Sequence, residues 1–404
     1  MSDTAWINVV GIGEDGLDGL APAVRRLVES SDVLVGGDRH HEKVPDFGGE
    51  RLTWEGGFGA ALDEIEERRG KRITVLASGD PMHFGVGATL GRRFGAGALA
   101  VFPVPGAFSL AAARMGWSIP DCRLLTIHGR PLENLGLYVS PGARLLVLSQ
   151  DGGSPALAAA LLTAKGYGDS TLTVLEHMGG PRENRIEGRA ASWADDTVAD
   201  LNTIAIDCVS GDGAVTLSRA PGLPDDAFEH DGQLTKREVR AATLAALQPL
   251  PGQVLWDIGA GSGAVAIEWL RLGEARRAVA LENDGPRVAR IARNAARLGT
   301  PALTIIEGRF PDAMAPDIPA PDAVFVGGGI SEDGVLKAAW DALGHGGRLV
   351  ANAVTLEAEQ ALLTFYRDHG GELVRLSIER AAPIGGKTAF RPMMHITQYS
   401  GLKA

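Results

Sequence analysis

The run Val254-Leu-Trp-Asp-Ile-Gly-Ala-Gly-Ser-Gly-Ala264 ends an apolar stretch in alternating glycines, and Glu282 follows within Val279-Ala-Leu-Glu-Asn-Asp284. A buried strand that feeds a glycine turn and a helix, with a carboxylate closing the next strand, is the geometry of a site for an adenosine-bearing cofactor. The glycines let the backbone approach the ligand, and the carboxylate can accept hydrogen bonds from a ribose diol. The spacing is G-x-G-x-G, Asp257 stands just before the first glycine, and the sequence around the turn offers no Lys or Arg to bind phosphate. A sulfonium cofactor has no pyrophosphate to neutralise, so S-adenosylmethionine fits better than a dinucleotide. Ala264 also completes the looser G-x-G-x-x-A form, which keeps a dinucleotide open.

A second glycine pattern, Gly11-Ile-Gly-Glu-Asp-Gly16, is a literal G-x-G-x-x-G after an apolar run. Here Glu14 and Asp15 put negative charge where a pyrophosphate would lie. Pro22 predicts that the helix starts well after the last glycine, so its dipole is not at the turn. More informative are Ala77-Ser-Gly-Asp-Pro-Met-His83, Pro103-Val-Pro-Gly-Ala-Phe-Ser109 and Ile127-His-Gly-Arg-Pro131. In the S-G-D-P run glycine permits a tight turn and Asp80 can accept hydrogen bonds from a ligand's amino or hydroxyl groups. Gly385-Gly-Lys-Thr388 has the ending of a P-loop, but Ala381 stands where its first glycine should be, which argues against a nucleoside triphosphate.

These turns need strands and helices to hold them. Strand-like runs occupy Trp6–Gly11, Ile73–Ala77, Leu99–Val104, Arg144–Leu148, Thr171–Leu175 and Asn202–Cys208, with helical patterns such as Pro22–Glu29 and Pro155–Lys165 between them. This alternation predicts an α/β fold with a mostly parallel sheet. Residues 217–232 are rich in turn formers and acids, and read as a linker between domains at 1–216 and 233–404. Beyond it, Thr235-Lys-Arg-Glu238 has capping-box spacing and predicts a helix to about Gln248. Strands recur near residues 254, 278, 303, 322, 348, 373 and 393, and the helix Arg287–Leu298 is closed by Gly299.

With 404 residues, two domains of roughly 200 residues each are expected. A net charge of −11 and the lack of a Lys/Arg run argue against nucleic acid and for a small-molecule substrate. Cys122 and Cys208 lie in neither a CxxC nor a Cys/His cluster, so no metal or disulfide is indicated and both are expected as buried thiols. Met1–Ala5 carries no basic leader, and Gly, Pro or charge interrupts every apolar stretch before it could span a bilayer. The expectation is a cytoplasmic protein without membrane contact.

The carboxy-terminal half resembles a class I, Rossmann-like methyltransferase, and specifically the precorrin methyltransferase and decarboxylase domain of the corrin pathway. The resemblance rests on Thr235-Lys-Arg-Glu-Val-Arg240, the 257–263 turn, Glu282, Glu307-Gly-Arg-Phe-Pro311, Asp322-Ala-Val-Phe-Val-Gly-Gly-Gly329 and Leu349-Val-Ala-Asn-Ala-Val-Thr-Leu-Glu357. It implies S-adenosylmethionine on Asp257, Gly259, Ala260, Gly261, Ser262 and Gly263, with ribose on Glu282, adenine near Gly308 and Phe310, and a contact from Thr235. Arg309 stands where many relatives carry an acid. A tetrapyrrole substrate with many carboxylates would look to Lys236, Arg237, Arg240, Lys387, Arg391 and His395, with Lys387 favoured for its glycine-rich loop.

The amino-terminal half resembles the tetrapyrrole methylase family, which binds the same cofactor in a cleft between two α/β lobes. Glu176-His-Met-Gly-Gly-Pro-Arg-Glu183 and Leu201-Asn-Thr-Ile-Ala205 extend the match. This resemblance implies cofactor contacts from Gly13, Gly79, Asp80, Pro81, His83, Gly106, Ser109 and His128, with Arg130 toward substrate. His40 and His41 are expected in a solvent-exposed turn, and Glu14 replaces the proline common in the first loop. Together the halves resemble the bifunctional precorrin-6Y methyltransferases of cobalamin biosynthesis. That family implies two cofactor sites, methylation at carbons 5 and 15, loss of the ring C acetate carboxyl, no metal and a homo-oligomer. Candidates for moving a proton are Lys387, His83 and Lys236. An NAD-dependent Rossmann oxidoreductase, a methyltransferase for another small anion and a binding protein without catalysis are the competing readings.

Overall fold

The computed structural model describes residues 5–194, 198–273 and 275–404, so residues 1–4 of the amino-terminal stretch lie outside it. The chain divides into two units, one of Met1–Leu132 with Tyr138–Val215 and another of Glu133–Leu137 with Thr216–Ala404.

In the first unit, β1 (Ile7–Ile12), β2 (Val33–Val35), β3 (Glu50–Leu52), β4 (Ile73–Ser78) and β5 (Leu99–Phe102) form a sheet in the order β3-β2-β4-β1-β5. Every pairing in it is parallel. Its central strands are apolar on both faces because both faces are covered. Ile7, Val9, Val33, Val35, Ile73 and Val75 pack on one side, and Val10, Ile12, Leu34 and Leu76 on the other. The second sheet joins β6 (Cys122–Thr126), β7 (Arg144–Leu148), β8 (Thr171–Glu176), β9 (Asn184–Arg189) and β10 (Asn202–Asp207) in the order β6-β7-β10-β8-β9.

Here the expected mostly parallel arrangement fails. Only β6 and β7 pair in parallel, since β10 enters antiparallel between β7 and β8, and β9 returns antiparallel along β8. The link from β8 to β9 is too short for a parallel crossover. The half-exposed edge strand β9 (NRIEGR) gave no apolar run to find, and β2 and β3 are three residues each. Cys122 and Cys208 are buried and free, and burial pushes the Cys208 thiol up to about 12.

The second unit is built on β11 (Val254–Ile258), β12 (Arg277–Glu282), β13 (Thr304–Glu307), β14 (Ala323–Val326), β15 (Arg348–Ala353), β16 (Glu372–Leu376) and a late strand. Between them and that strand stands a hairpin, β17 (Glu379–Ile384) and β18 (Lys387–Pro392), which forms a sheet of its own; the late strand is β19 (Ile396–Leu402). The sheet order is β13-β12-β11-β14-β15-β19-β16, parallel except that β19 runs antiparallel to both neighbours. The strand expected near residue 393 is thus two elements, the hairpin arm and β19. Leu255 and Phe325 face one core layer, and Trp256, Ile258 and Val326 the other. Asp284 caps the helix Gly285–Arg297 by accepting from the Arg287 amide at 3.0 Å.

The helix expected to open on Thr235 instead spans Arg237–Leu247, with Lys236 as an N-cap that makes no side-chain cap bond. Residues 217–232 are no free tether either. Leu223 and Phe228 sit in the core, and the Glu268 carboxylate accepts from the amides of Gly222 at 2.6 Å and Leu223 at 2.9 Å. Arg240, expected at a substrate, is fully buried: it donates to Glu268 at 2.5 Å and to the carbonyls of Leu223 and Thr235, and lies over the Phe228 ring. Helical periodicity alone could not show that its guanidinium satisfies this segment's buried polar groups. Among the described residues no helix is long and apolar enough to cross a membrane, and no group of His, Cys, Asp and Glu could hold a metal.

Arg240→Ala leaves Glu268 charged and buried without its partner and is expected to destabilise the second unit by about 3–5 kcal/mol. Chemical denaturation of the full chain checks this, and an unchanged midpoint would contradict it.

Candidate functional site

In the second unit the glycine turn leaves β11 beneath the loop that follows β14. A Cβ on Gly259 would lie 2.8 Å from the backbone of Gly328, and the φ of Gly259 is 68°, so only glycine lets the two loops pass. Gly261 (φ 60°) turns its amide onto Glu282 Oε2 at 2.8 Å. The other Glu282 oxygen accepts from the amides of Asn283 at 3.0 Å and Asp284 at 3.1 Å. A buried carboxylate with roughly four acceptor positions thus keeps capacity for one more donor, and Glu282 lines the cavity where a ribose hydroxyl would supply it.

That cavity, about 800 Å³, is walled by Gln233, Thr235 and Lys236, by Gly259, Ala260 and Gly261, and by Gly308 and Phe310. Uncharged and mostly apolar side chains also line it: Asn352, Val354, Ile378, Met393, Met394 and Ile396. The loop Gly327–Gly329 lines it as well. Phe310 packs edge-on against Trp256. These surfaces suit an adenosyl sulfonium: close backbone, one committed carboxylate and an aromatic wall.

Several expected site residues serve the cavity from behind it. Asp257 and Ser262 are 1% exposed, and neither they nor Gly263 line the cavity. Asp257 accepts from the Ala266 amide at 3.0 Å and so anchors the helix Ala264–Arg271. A Cβ on Gly263 would sit 2.8 Å from Ile291, so that glycine admits the neighbouring helix. Burial pushes the Asp257 carboxyl up to about 7, with the Glu282 charge adding to it.

The surroundings of the turn are also less free of cations than the sequence suggested. Lys236, Arg287 and Arg309 all line the cavity, though Arg287 is paired with Asp231 at 2.9 Å and Arg309 faces Glu332 at 4.0 Å. Lys387 and Arg391 stand exposed on the hairpin and are not among the lining residues. His395 accepts from or donates to Ser377 at 2.8 Å. The residues that sequence reasoning left without a role are Gln233, Asn352, Met393, Met394 and Ile396. Asn352 and the glycines at 327–329 lay within quoted motifs, whereas nothing in the spacing marked the two methionines.

In the first unit the loops after β1, β4 and β5 converge in backbone contact. A Cβ on Gly11 would overlap the Gly79 carbonyl at 1.8 Å, and one on Gly79 would lie 2.6 Å from the Gly106 Cα. Gly79 donates to the Ile12 carbonyl at 3.2 Å and accepts from the Val104 amide at 3.3 Å. Asp80 spends one carboxylate oxygen on the Met82 amide at 2.9 Å and keeps the other. Gly106 precedes the helix Ala107–Met115, which carries Ser109 on an exposed face. His128 and Arg130 follow β6, and Arg130 reaches the loop after β4, 5.2 Å from the Phe84 ring centre.

Glu14 has a definite place in this arrangement. It is an ion-pair partner of Lys43 and meets His177 Nδ1 at 3.1 Å, tying the first loop to the segment after β8. Lys43 also donates to the Gly13 carbonyl at 2.9 Å. The Glu14 carboxylate tied into this loop would repel a pyrophosphate, which argues against reading its G-x-G-x-x-G as a dinucleotide turn. The pair His40-His41 is not a solvent-exposed turn: both lie in the helix Asp38–Glu42, His41 is buried against the Leu52 carbonyl, and burial holds His40 down to about 4.

Two predictions follow from the geometry around Glu282. Glu282→Ala removes an acceptor for three amides and one ligand donor, so cofactor affinity in this unit should fall by about 1–3 kcal/mol in calorimetry, while unchanged affinity would remove Glu282 from the site. Asp257 bears on stability instead. Its carboxyl is raised from 3.8 to about 7 on folding, so the stability it confers is complete below pH 3.8 and is lost as pH rises through about 7. Asp257→Asn should flatten the fall of melting temperature over that window, and an equally steep fall would show that another group carries it.

Residues 7–194 match the tetrapyrrole (corrin/porphyrin) methylases and residues 226–403 match the precorrin methyltransferase domain. A precorrin-6Y C(5,15)-methyltransferase [decarboxylating] from Sinorhizobium sp. is 47% identical over 98% of this chain and 96% of its own length. The protein of that name from Mycobacterium tuberculosis is 41% identical over 98% of this chain and all of its own. The crystal structure of the C-terminal domain of precorrin-6Y C5,15-methyltransferase from Rhodobacter capsulatus, 42% identical, aligns over 46% of this chain and 100% of that one with a TM-score of 0.44. With near-complete coverage at this identity, the chain belongs to the decarboxylating precorrin-6Y C(5,15)-methyltransferase family.

Proposed function

We propose that this chain performs the reaction of its family: methylation of precorrin-6Y at carbons 5 and 15 with loss of the ring C acetate carboxyl, dependent on S-adenosylmethionine. The observation that carries this reading is that each unit has its own convergent set of glycine loops. One set surrounds Gly79 and Gly106, and the other lines the cavity at Gly259, Gly261 and Glu282. Two cofactor sites per chain are therefore proposed, the first unit acting at carbon 5 and the second at carbon 15 with decarboxylation.

S-adenosylmethionine, when bound, supplies an electrophilic methyl group on sulfur. The reduced macrocycle is electron-rich at its meso carbons and is itself the nucleophile, so the residues mainly position it and exclude water. In the second unit Glu282 and the 259–261 turn would hold the ribose and methionyl ends, and Lys236, one of the cations lining the cavity, would meet a peripheral carboxylate. The uncharged lining residues Asn352, Ile378, Met393, Met394 and Ile396 give a carboxylate no counter-charge, which favours its loss as carbon dioxide, with the electron pair of the broken carbon–carbon bond taken up by the conjugated ring. Of the candidates for moving a proton, Lys236 lines this cavity; Lys387 and Arg391 would meet substrate outside it. In the first unit Asp80 and the loops at Gly13, Pro81 and Gly106 serve the cofactor, with His83, His128 and Arg130 toward the macrocycle.

Mutants with methyl-labelled cofactor test the division of labour. Gly261→Val places a side chain where the turn must stay open and should yield a singly methylated macrocycle that keeps its acetate carboxyl. Asp80→Ala should yield a singly methylated, decarboxylated one. Mass spectrometry separates the two, and retention of the carboxyl by the Asp80 variant would show that decarboxylation depends on the first unit.

A further inference from the structure

The loop after β4 carries a feature that cofactor binding does not require. Phe84 has a φ of 55°, a left-handed conformation that is an outlier for a bulky side chain. Its ring is nonetheless 46% exposed, so the strain is not repaid by burial. The loop enforces the conformation. Met82 N–H is held by Asp80 Oδ1, His83 N–H by the Asp80 carbonyl at 3.2 Å, and Gly87 N–H by the Pro81 carbonyl at 2.9 Å. The turn is so tight that a Cβ on Gly85 would lie 2.6 Å from the Pro81 carbonyl oxygen and one on Gly87 2.8 Å from it.

The ring is also placed. His83 stacks on it with centroids 5.1 Å apart, and both rest on the buried Phe108, in the helix that starts from the Gly106 loop. Arg130 brings its guanidinium within 5.2 Å of the ring centre, and among the described residues no acidic side chain pairs with it. Strain held in a rigid loop, a half-exposed aromatic side chain and a cation without an acidic partner among the described residues thus meet beside the cofactor loops. Sites that retain strain of this kind are commonly functional.

We infer that Phe84 is a substrate-contact residue of the first unit: the flat reduced macrocycle packs against its exposed ring while Arg130 pairs with a peripheral carboxylate. The inference rests on the functional reading above and adds to it the wall on which the macrocycle is oriented. Apolar contact supplies affinity that a net-negative protein cannot draw from charge alone, and the single guanidinium fixes which edge of the ring faces inward.

The test measures initial rates of the full chain with precorrin-6Y and 13C-methyl cofactor, so that methylation at carbon 5, methylation at carbon 15 and carbon dioxide release are read separately. Phe84→Asn removes the ring while tolerating the left-handed backbone. It should leave the melting temperature unchanged or raised, and raise KM for the carbon 5 reaction about tenfold, equivalent to about 1.4 kcal/mol, with kcat little altered. Phe84→Tyr should restore most of that KM. The carbon 15 reaction and carbon dioxide release should keep their kinetics. An unchanged KM for carbon 5, an equal rise in Phe84→Tyr, or a drop in melting temperature that accounts for the lost activity would overturn the contact. A parent chain that methylates neither carbon would overturn the functional reading as well, whereas an active parent with an unaffected Phe84→Asn variant overturns the contact alone.

Discussion

One carboxylate ties the glycine turn of the second unit to the neighbouring strand. Glu282 closes β12 and takes the amide of Gly261 from the turn after β11, together with the amides of Asn283 and Asp284 that start its own loop. If that carboxylate moves, the glycine turn keeps only the bonds from the Gly259 and Ala260 amides to the Leu281 carbonyl as its ties to β12. Gly259 fixes the same turn from the other side, because its Cα passes the Gly328 backbone with no space for a side chain. The cavity is therefore shaped by backbone before any ligand arrives, and Glu282 sets a buried carboxylate beside its glycine turn.

The first unit reaches a comparable result by a different route. Its loops converge on Gly79, whose carbonyl and amide bond to neighbouring strand ends, and Glu14 links the first of them to Lys43 and His177. Where Glu282 ties one turn to a strand, these loops are locked mainly by close backbone contact, and Asp80 gives one carboxylate oxygen to the Met82 amide. Two unrelated scaffolds thus present glycine loops at the carboxyl ends of parallel strands, where open α/β sheets leave a crevice for ligands.

Much of this was legible in the sequence because it depends on residue types with few substitutes. Glycines at positive φ, the S-G-D-P turn and the acid ending β12 carry their roles in their identity, and buried parallel strands announce themselves as apolar runs. What stayed hidden depends on partners distant in sequence. Arg240 reads as a cation for an anionic substrate until Glu268 and the Leu223 carbonyl are found around it. Residues 217–232 look like a tether because their few apolar members, Leu223 and Phe228, are spaced by turn formers. Asp257 is typical of cofactor turns, yet its side chain faces away from the cavity and caps a helix. The antiparallel entry of β10 follows from chain crossings that no local pattern encodes, and Met393 and Met394 reach the cavity only because the hairpin β17–β18 returns there.

The central claim is that each unit binds its own cofactor molecule, and calorimetric titration of the intact chain with S-adenosylmethionine addresses it most directly. The account expects two molecules bound per chain, with the second unit's site accounting for one of them. Saturation at one molecule per chain would contradict it, because one of the two loop sets would then be a scaffold without a ligand.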